Sequence, residues 1–227
     1  MRIDGTRIEE ALPGRQGRLA FAYLAANRRR TVTRDELEDA LWGGAAGSDR
    51  LSPLLSKLRQ VVPLEGRGEV RLALPADAWI DLEAAAEGLH RAESAAAQDD
   101  FTAAWGPARV AQHVATRVFL PNDEAPWIDA ERRRLEEILV RALELVGRAC
   151  VAIGGGELDT AERAARTLIE RAPYRESGHR LLMETLAARG NTAEALLVYD
   201  ALRRRLRDEL GAAPSAPTQA LLRRVLG

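Results

Sequence analysis

Cysteine is almost absent from this sequence, since Cys150 is the only one among 227 residues. A single thiol excludes an intrachain disulfide framework and a zinc site built from several cysteines. Cys150 lies within an apolar helical pattern, which predicts a buried small side chain. The scarcity of cysteine fits a reducing compartment.

Long apolar runs are also absent from the sequence. No segment approaches the roughly 18–20 apolar residues that a membrane-spanning helix needs, and Met1 is not followed by a signal-type apolar stretch. We therefore expect a cytoplasmic protein without a membrane partner.

The sequence lacks a recognisable arrangement of catalytic or metal-binding residues. His90, His113 and His179 are far apart and lack cysteines or carboxylates at metal-ligand spacing. Gly154-Gly155-Gly156 lacks the following Lys-Ser/Thr and the preceding strand of a phosphate-binding loop. We therefore predict no enzyme activity, no metal site and no cofactor.

Aromatic residues make up 4% of the sequence, and neither sign of charge is in large excess. The tryptophans are spread singly, which predicts core anchors rather than stacking platforms: Trp42, Trp79, Trp105 and Trp127. Residues 1–80 hold 13 Lys and Arg against 11 Asp and Glu, and residues 81–227 hold 20 against 23. This asymmetry is too small to identify a nucleic-acid-binding protein by itself.

Composition favours a soluble globular protein, with 46% hydrophobic and 30% charged residues, and the length of 227 residues favours one or two domains. We predict that the domains comprise residues 1–81 and 82–227.

The N-terminal elements begin with a short hairpin, which Asp4-Gly5 predicts. A first helix then follows Pro13-Gly14 and ends at Asn27, since apolar residues recur on one face.

A second and a third helix are predicted before residue 63. The second begins with a capping box formed by Thr33 and Glu36 and ends near Trp42. The third spans residues 48–62 and carries a leucine- and valine-rich stripe. Pro53 fits only its first turn, so the helix starts at Asp49 or has Ser52 as its N-cap.

A hairpin is predicted after these helices. Residues 70–74 alternate as a strand, and residues 78–80 are predicted to return as its partner. Three helices followed by a hairpin is the arrangement of a winged helix-turn-helix domain.

The rest of the sequence predicts helices, which make the expected fold mainly α, at residues 82–98, 99–116, 127–153, 157–172, 176–189, 192–210 and 217–226. Breaks are predicted at Gly106-Pro107, residues 121–126, Gly154-Gly155-Gly156, Pro173, Gly190 and residues 211–217. Gly156 and Gly190 are 34 residues apart, and Thr160-Ala161-Glu162 returns as Thr192-Ala193-Glu194. This period is typical of tetratricopeptide repeats, which form concave surfaces that bind partners.

Several motifs resemble those of the Streptomyces antibiotic regulatory proteins, or SARPs. They are Gly14-Arg15-Gln16-Gly17-Arg18, Thr33-Arg34-Asp35-Glu36-Leu37, Asp39-Ala40-Leu41-Trp42, Ser56-Lys57-Leu58-Arg59, Asp123-Glu124-Ala125-Pro126-Trp127, Pro173-Tyr174-Arg175-Glu176, residues 190–196, Glu209-Leu210-Gly211 and Pro214. The resemblance implies an OmpR-like winged helix followed by a bacterial transcriptional activation domain of tetratricopeptide-like repeats. It covers nearly the whole chain.

The resemblance also implies a DNA interface. Base-reading candidates on the third helix are Arg50, Ser52, Ser56, Lys57, Arg59 and Gln60, and phosphate candidates are Arg15, Arg28, Arg29 and Arg30. Arg67 and Arg71 are candidates at the wing. For all of these residues the alternative is a solvated polar surface, because charged helix faces and turns are usually only exposed.

The implied partners are double-stranded promoter DNA, a second copy of the chain, and RNA polymerase through its sigma factor. The protein would then be a dimeric activator that binds promoter repeats in the nucleoid. The alternative is a protein-interaction scaffold whose winged helix no longer binds DNA specifically, which Pro53, the short N-terminus and the near-neutral charge favour.

Overall fold

The computed structural model describes residues 2–3, 6–8, 10–44, 50–75 and 78–227. Its contacts divide the chain into two compact units. The first comprises Met1–Glu83 and Phe119–Arg132, and the second comprises Ala84–Val118 and Arg133–Gly227. Residues 119–132 therefore pack with the N-terminal unit although helical segments of the second unit precede and follow them in sequence.

The first unit contains three short helices and two small sheets. Its elements are β1 (Arg2–Ile3), β2 (Thr6–Arg7), α1 (Gly14–Ala26), β3 (Val32–Thr33), α2 (Arg34–Trp42), α3 (Leu51–Leu58), β4 (Leu64–Glu65) and β5 (Glu69–Leu72). Strands β1 and β2 form the expected N-terminal hairpin, although Asp4 and Gly5 lie outside the described residues. The second sheet is antiparallel in the order β3-β5-β4.

One apolar core holds the three helices against the second sheet. Its fully buried members include Leu24 of α1, Leu37 of α2 and Leu55 of α3, together with Val32 and Val70 on the sheet. Each fully buried leucine contributes about 1.5–3 kcal/mol of transfer free energy. The spacing of these leucines therefore fixes which face of each helix is left exposed.

The bounds of α3 differ from those expected. The helix begins at Leu51 after Arg50 as N-cap, so the prediction of Ser52 as N-cap is wrong, and the alternative start at Asp49 lies outside the described residues. It ends at Leu58 rather than at residue 62. Pro53 is its third residue, where the backbone amide would have no intrahelical acceptor, so proline is tolerated.

The predicted partner of the last strand is also wrong. Residues 78–80 form no strand; β5 pairs instead with β4 on one side and with β3 on the other. Gly66 makes the β4–β5 turn possible, since it has a φ of +87° and an added Cβ would lie 1.9 Å from the Glu69 carbonyl oxygen. Trp79 is 71% exposed and Trp105 is also exposed, so the prediction of both as core anchors is wrong.

The second unit is helical throughout. Its elements are α4 (Asp81–Ala96), α5 (Phe101–Ala115), α6 (Pro126–Ile153), a 3-10 turn (Gly155–Glu157), α7 (Leu158–Arg171), α8 (Glu176–Ala188), α9 (Thr192–Leu210) and α10 (Ala216–Leu226). The first residues of α4 and of α6 belong to the first unit. The predicted helices from residue 82 onward are confirmed. Helix α7 packs against α8 and α8 against α9, as consecutive helical repeats do.

The predicted break at Gly106-Pro107 is wrong, because α5 continues through Pro107. Gly106 permits this, since a side chain before proline would be disfavoured in helical geometry. Close packing compensates for the lost hydrogen bond: α5 buries Ala104, Ala108 and Ala111, and Gly88 of α4 approaches the Pro107 carbonyl oxygen.

Neither a membrane-spanning helix nor a metal-binding cluster is found among the described residues of the two units. No helix within the described ranges combines the length and apolarity needed to cross a bilayer. Among the same residues, no group of three or more His, Cys, Asp or Glu side chains is placed to hold a metal ion.

Cys150 is fully buried, and burial raises the pKa of its thiol.

Candidate nucleic-acid interface

The outer side of α3 is a continuous polar surface, which we call the α3 face. Leu51, Leu55 and Leu58 turn inward and are fully buried. The exposed members of the face are Arg50, Ser52, Pro53, Ser56, Lys57, Arg59 and Gln60. The structure therefore brings all six base-reading candidates to one exposed surface.

The cations of this face lack carboxylate partners. Within the described residues, Arg50, Lys57 and Arg67 form no hydrogen bond or ion pair through their side chains. Arg59 donates from Nη2 to the carbonyl oxygen of Gly66 at 2.6 Å, which joins the end of α3 to the β4–β5 turn. A carbonyl leaves the positive charge of Arg59 uncancelled, so the α3 face and the adjoining turn carry net positive charge.

The other arginine candidates are paired within the first unit. Arg15 lies 2.5 Å from Asp123, and Arg71 lies 2.5 Å from Glu65 across the hairpin. Arg30 contacts Glu36. These pairs are half-exposed and contribute little to stability, but each places a negative charge beside the cation.

Arg28 and Arg29 share one carboxylate. Arg28 makes two hydrogen bonds to Glu83, from Nε at 2.8 Å and from Nη2 at 2.7 Å, and these raise its pKa and lower the pKa of Glu83. Arg29 lies 3.4 Å from the same group and is mostly exposed. Both line an open groove of about 580 Å³ whose other walls are Glu65, Arg71 and residues 72–75.

The groove and the β4–β5 turn involve different parts of the hairpin. The turn at Gly66-Arg67-Gly68 precedes β5, whereas the walls of the groove lie mainly from Arg71 to Pro75, with Glu65 of β4 also contributing. The α3 face with the turn thus forms one group of candidates, and Arg28, Arg29 and Arg71 at the groove form another. Arg15 and Arg30 belong to neither group and pair with Asp123 and Glu36.

Sequence reasoning missed Arg34, the first residue of α2. Its Nη2 donates to Ser52 Oγ at 2.7 Å, and it has no carboxylate partner among the described residues. Arg34 therefore extends the positive surface beyond α3. The sequence did offer a signal for Arg34, namely its position directly after Thr33, the predicted N-cap of α2. The structure has this cap, since Thr33 Oγ1 accepts a hydrogen bond from the Glu36 amide at 3.2 Å.

A hydrogen-bonded cluster positions α2, which carries Arg34. Tyr23 Oη of α1 donates to Glu36 Oε1 at 2.6 Å, and Arg30 Nη1 donates to Glu36 Oε2 at 2.9 Å. The hydrogen bond from Arg30, opposed by burial and aided by Tyr23, lowers the pKa of Glu36 to about 2. Burial and the bond to Glu36 raise the pKa of Tyr23 to about 12.

Trp127 packs against the same cluster. Its ring meets Tyr23 edge-on with centroids 5.1 Å apart, and its Nε1 donates to the Ala40 carbonyl oxygen of α2 at 3.0 Å. An edge-to-face aromatic pair of this kind contributes about 0.5–1.5 kcal/mol beyond burial. Trp127 thus acts as the core anchor expected for it.

The second unit has a polar cluster between α8 and α10. Glu176 accepts from the Ser215 amide at 3.0 Å, from Ser215 Oγ at 2.7 Å and from Thr218 Oγ1 at 2.5 Å. Although burial raises it, these bonds hold the pKa of Glu176 below its usual range. Thr218 is completely buried, so the cluster fixes the last helix to the repeats.

The sequence matches a known domain family over most of its length. Residues 80–226 match the family described as Bacterial transcriptional activator domain. The regulatory protein AfsR of Streptomyces coelicolor is 33% identical over 235 residues, which cover 98% of this chain and 23% of that protein. AfsR of Streptomyces griseus is 30% identical over 222 residues, 93% of this chain and 22% of that protein. The chain thus spans less than a quarter of these relatives.

A solved structure has a similar fold. It is that of Mycobacterium tuberculosis EmbR in complex with low affinity phosphopeptide, with a TM-score of 0.82 at 24% identity, covering 100% of this chain and 62% of that chain. At this identity the likeness shows the fold alone. The family match, in contrast, extends over more than half of the chain. The chain therefore belongs to the bacterial transcriptional activator domain family.

Proposed function

We propose that this chain is a transcriptional regulator whose N-terminal domain, predicted as residues 1–81, is a winged helix that binds promoter DNA. Helix α3 is its recognition helix and the β4–β5 turn is its wing. One observation carries the proposal: the cations without carboxylate partners among the described residues include those of the α3 face, the turn and Arg34. A helix that enters the major groove needs such a surface.

The roles on this surface follow from side-chain chemistry. Arg34, Arg50, Lys57 and Arg67 contact phosphates, which position the protein without reading sequence. Ser52, Ser56 and Gln60 offer donors and acceptors to base edges. Arg59 orients the wing through Gly66 and adds positive charge.

The paired arginines have a lesser role in this proposal. Arg15, Arg28, Arg30 and Arg71 must exchange a carboxylate for a phosphate, so each adds less affinity than an unpaired cation. Arg29 is the most available of this group, because it is mostly exposed and only 3.4 Å from a carboxylate that Arg28 already holds.

The C-terminal domain, predicted as residues 82–227, supplies protein contacts in this proposal. Its helical repeats dimerise the regulator on repeated half-sites and contact RNA polymerase through its sigma factor, which makes the protein an activator in the cytoplasm. The match to the bacterial transcriptional activator domain supports this assignment. Dimerisation matters because two linked contacts raise the affinity well above that of one.

Titration against DNA tests the proposal. The full chain is titrated at about 150 mM salt against the promoter of its neighbouring operon and against a scrambled duplex of equal length. We expect the promoter to bind about a thousandfold more tightly. A duplex with one half-site should bind more weakly than one with two. Equal, weak binding to promoter and scrambled DNA would overturn the proposal.

The ion pairs favour a second candidate function. Because four phosphate candidates are neutralised by carboxylates, the N-terminal unit would also suit a protein-interaction scaffold without specific DNA binding. In that case the chain would bind no duplex specifically, yet would still form a stable complex with RNA polymerase or another protein in sedimentation. The same titration therefore separates the two functions.

A further inference from the structure

The centre of the α3 face has unusually small side chains. Ser52, Pro53 and Ser56 are all exposed and lie within about 100° of arc on the helix. At about 100° per residue, the longer side chains of Arg50 and Lys57 flank this centre beyond Pro53, and that of Arg59 flanks it beyond Ser52. The helix backbone can therefore approach a base edge closely at Ser52 and Pro53, while the long side chains reach outward.

Pro53 is the apolar member of this centre. Its ring carries no hydrogen-bond donor, and it is exposed at a position where the other outward side chains are polar or charged. Its neighbour Ser52 is held in place, because the Ser52 hydroxyl oxygen accepts a hydrogen bond from Arg34 at 2.7 Å. The position of the Pro53 ring is therefore restricted by the rigidity of proline itself and by its neighbour Ser52, which Arg34 holds in place.

The major groove offers one apolar feature on the edges of the base pairs, the 5-methyl group of thymine. We infer that Pro53 contacts the 5-methyl group of a thymine in each half-site and makes that thymine a determinant of specificity. This inference rests on the proposed function. Pro53 suits this contact better than the polar members of the face, because its whole ring is apolar, whereas a polar group held against a methyl group would lose hydrogen bonds to water.

Replacement of thymine by deoxyuridine tests the contact, because it removes only the methyl group. The operator is first isolated by selection from a random duplex pool with the full chain. Each thymine is then replaced singly, and the affinity of the full chain is measured. We expect one position in each half-site to lose about fourfold in affinity, as for one buried methyl group.

The variant Pro53→Ser links the effect to this residue. It should bind the thymine operator about fourfold more weakly and show no further loss with deoxyuridine at the same position. Pro63→Ala, at an exposed proline beyond α3, is the matched control and should keep the deoxyuridine effect. Circular dichroism checks that each variant folds, since position 53 has no intrahelical amide bond to lose.

The outcomes separate this inference from the proposed function. Specific binding without a deoxyuridine effect, or with the same effect in Pro53→Ser, would overturn the contact but leave the regulator intact. Failure of the selection to enrich any sequence would overturn the proposed function and the contact together.

Discussion

Arg34 Nη2 lies 2.7 Å from Ser52 Oγ and donates a hydrogen bond to it. This contact joins the first residue of α2 to the second residue of α3, the two helices of the proposed helix-turn-helix. It places one cation beside the proposed base-reading centre of α3 without cancelling its charge. The position of Arg34 therefore gives the first test of the interface.

The variant Arg34→Ala should weaken binding to promoter and scrambled DNA alike, because a phosphate contact carries no sequence information. The slope of log affinity against log salt should fall by about one. Fluorescence anisotropy over a range of salt concentrations measures both quantities. Arg28→Ala is the control, because Arg28 already pairs with Glu83 and should contribute less to DNA binding. An equal loss of affinity in both variants would contradict the proposal that unpaired cations contribute more to DNA binding than paired ones.

Lys57→Ala tests the only lysine of the chain in the same way. We expect a sequence-independent loss of affinity and a salt slope reduced by about one, since Lys57 is exposed and has no partner among the described residues. Arg223→Ala, an exposed cation on α10, is matched in charge. Should it reduce affinity as much as Lys57→Ala, net charge alone and not the α3 face would be responsible.

The Glu36 cluster should make stability depend on acid pH. Because the pKa of Glu36 is lowered to about 2 in the folded chain, its stabilising effect is present above about pH 4.5 and is lost as the pH falls toward 2. Glu36→Gln should therefore cost about 1 kcal/mol at pH 7 and progressively less in that window. Urea unfolding at several pH values measures this difference.

Glu38→Gln is the control for Glu36, because Glu38 has no ion-pair partner among the described residues. It should leave the free energy of unfolding close to that of the parent chain at neutral pH. A Glu36→Gln difference that stays constant from pH 7 to pH 2 would refute the role of its ionisation.

Gly88 marks close packing between α4 and α5 in the second unit. A Cβ added there would lie 2.8 Å from the Pro107 carbonyl oxygen, so Gly88→Ala should destabilise the unit by about 1–2 kcal/mol despite the better helix propensity of alanine. Gly156→Ala meets nothing within 4 Å and should be nearly neutral. Thermal unfolding followed by circular dichroism compares the two; equal melting temperatures would be inconsistent with this packing.

Glu176 should determine whether α10 stays attached to the repeats. Glu176→Ala removes the acceptor for the Ser215 amide, Ser215 Oγ and Thr218 Oγ1 and leaves the buried Thr218 hydroxyl with fewer partners. Hydrogen exchange in residues 216–226 should then become about tenfold faster. Glu184→Ala, which removes only an exposed ion pair with Arg224, should change it little.

The sequence by itself determined the helices. Apolar periodicity, the Thr33 cap and the Gly and Pro positions are local signals, and they placed α1, α2 and α4–α10 close to their observed bounds. The same local rules allowed Pro53 in the first turn of α3, since the amide it lacks has no acceptor there.

Tertiary structure decided which strand pairs with β5 and which cations are neutralised. Strand pairing depends on contacts distant in sequence, as between Val32 and Val70, and short strands carry little pattern of their own. Arg28 meets Glu83 across 55 residues and Arg15 meets Asp123 across 108, so no local pattern separates them from Lys57. The sequence identified the candidate residues, but only the fold determines which of them pair with a carboxylate and which do not. The reason is that electrostatic pairing depends on distance in space.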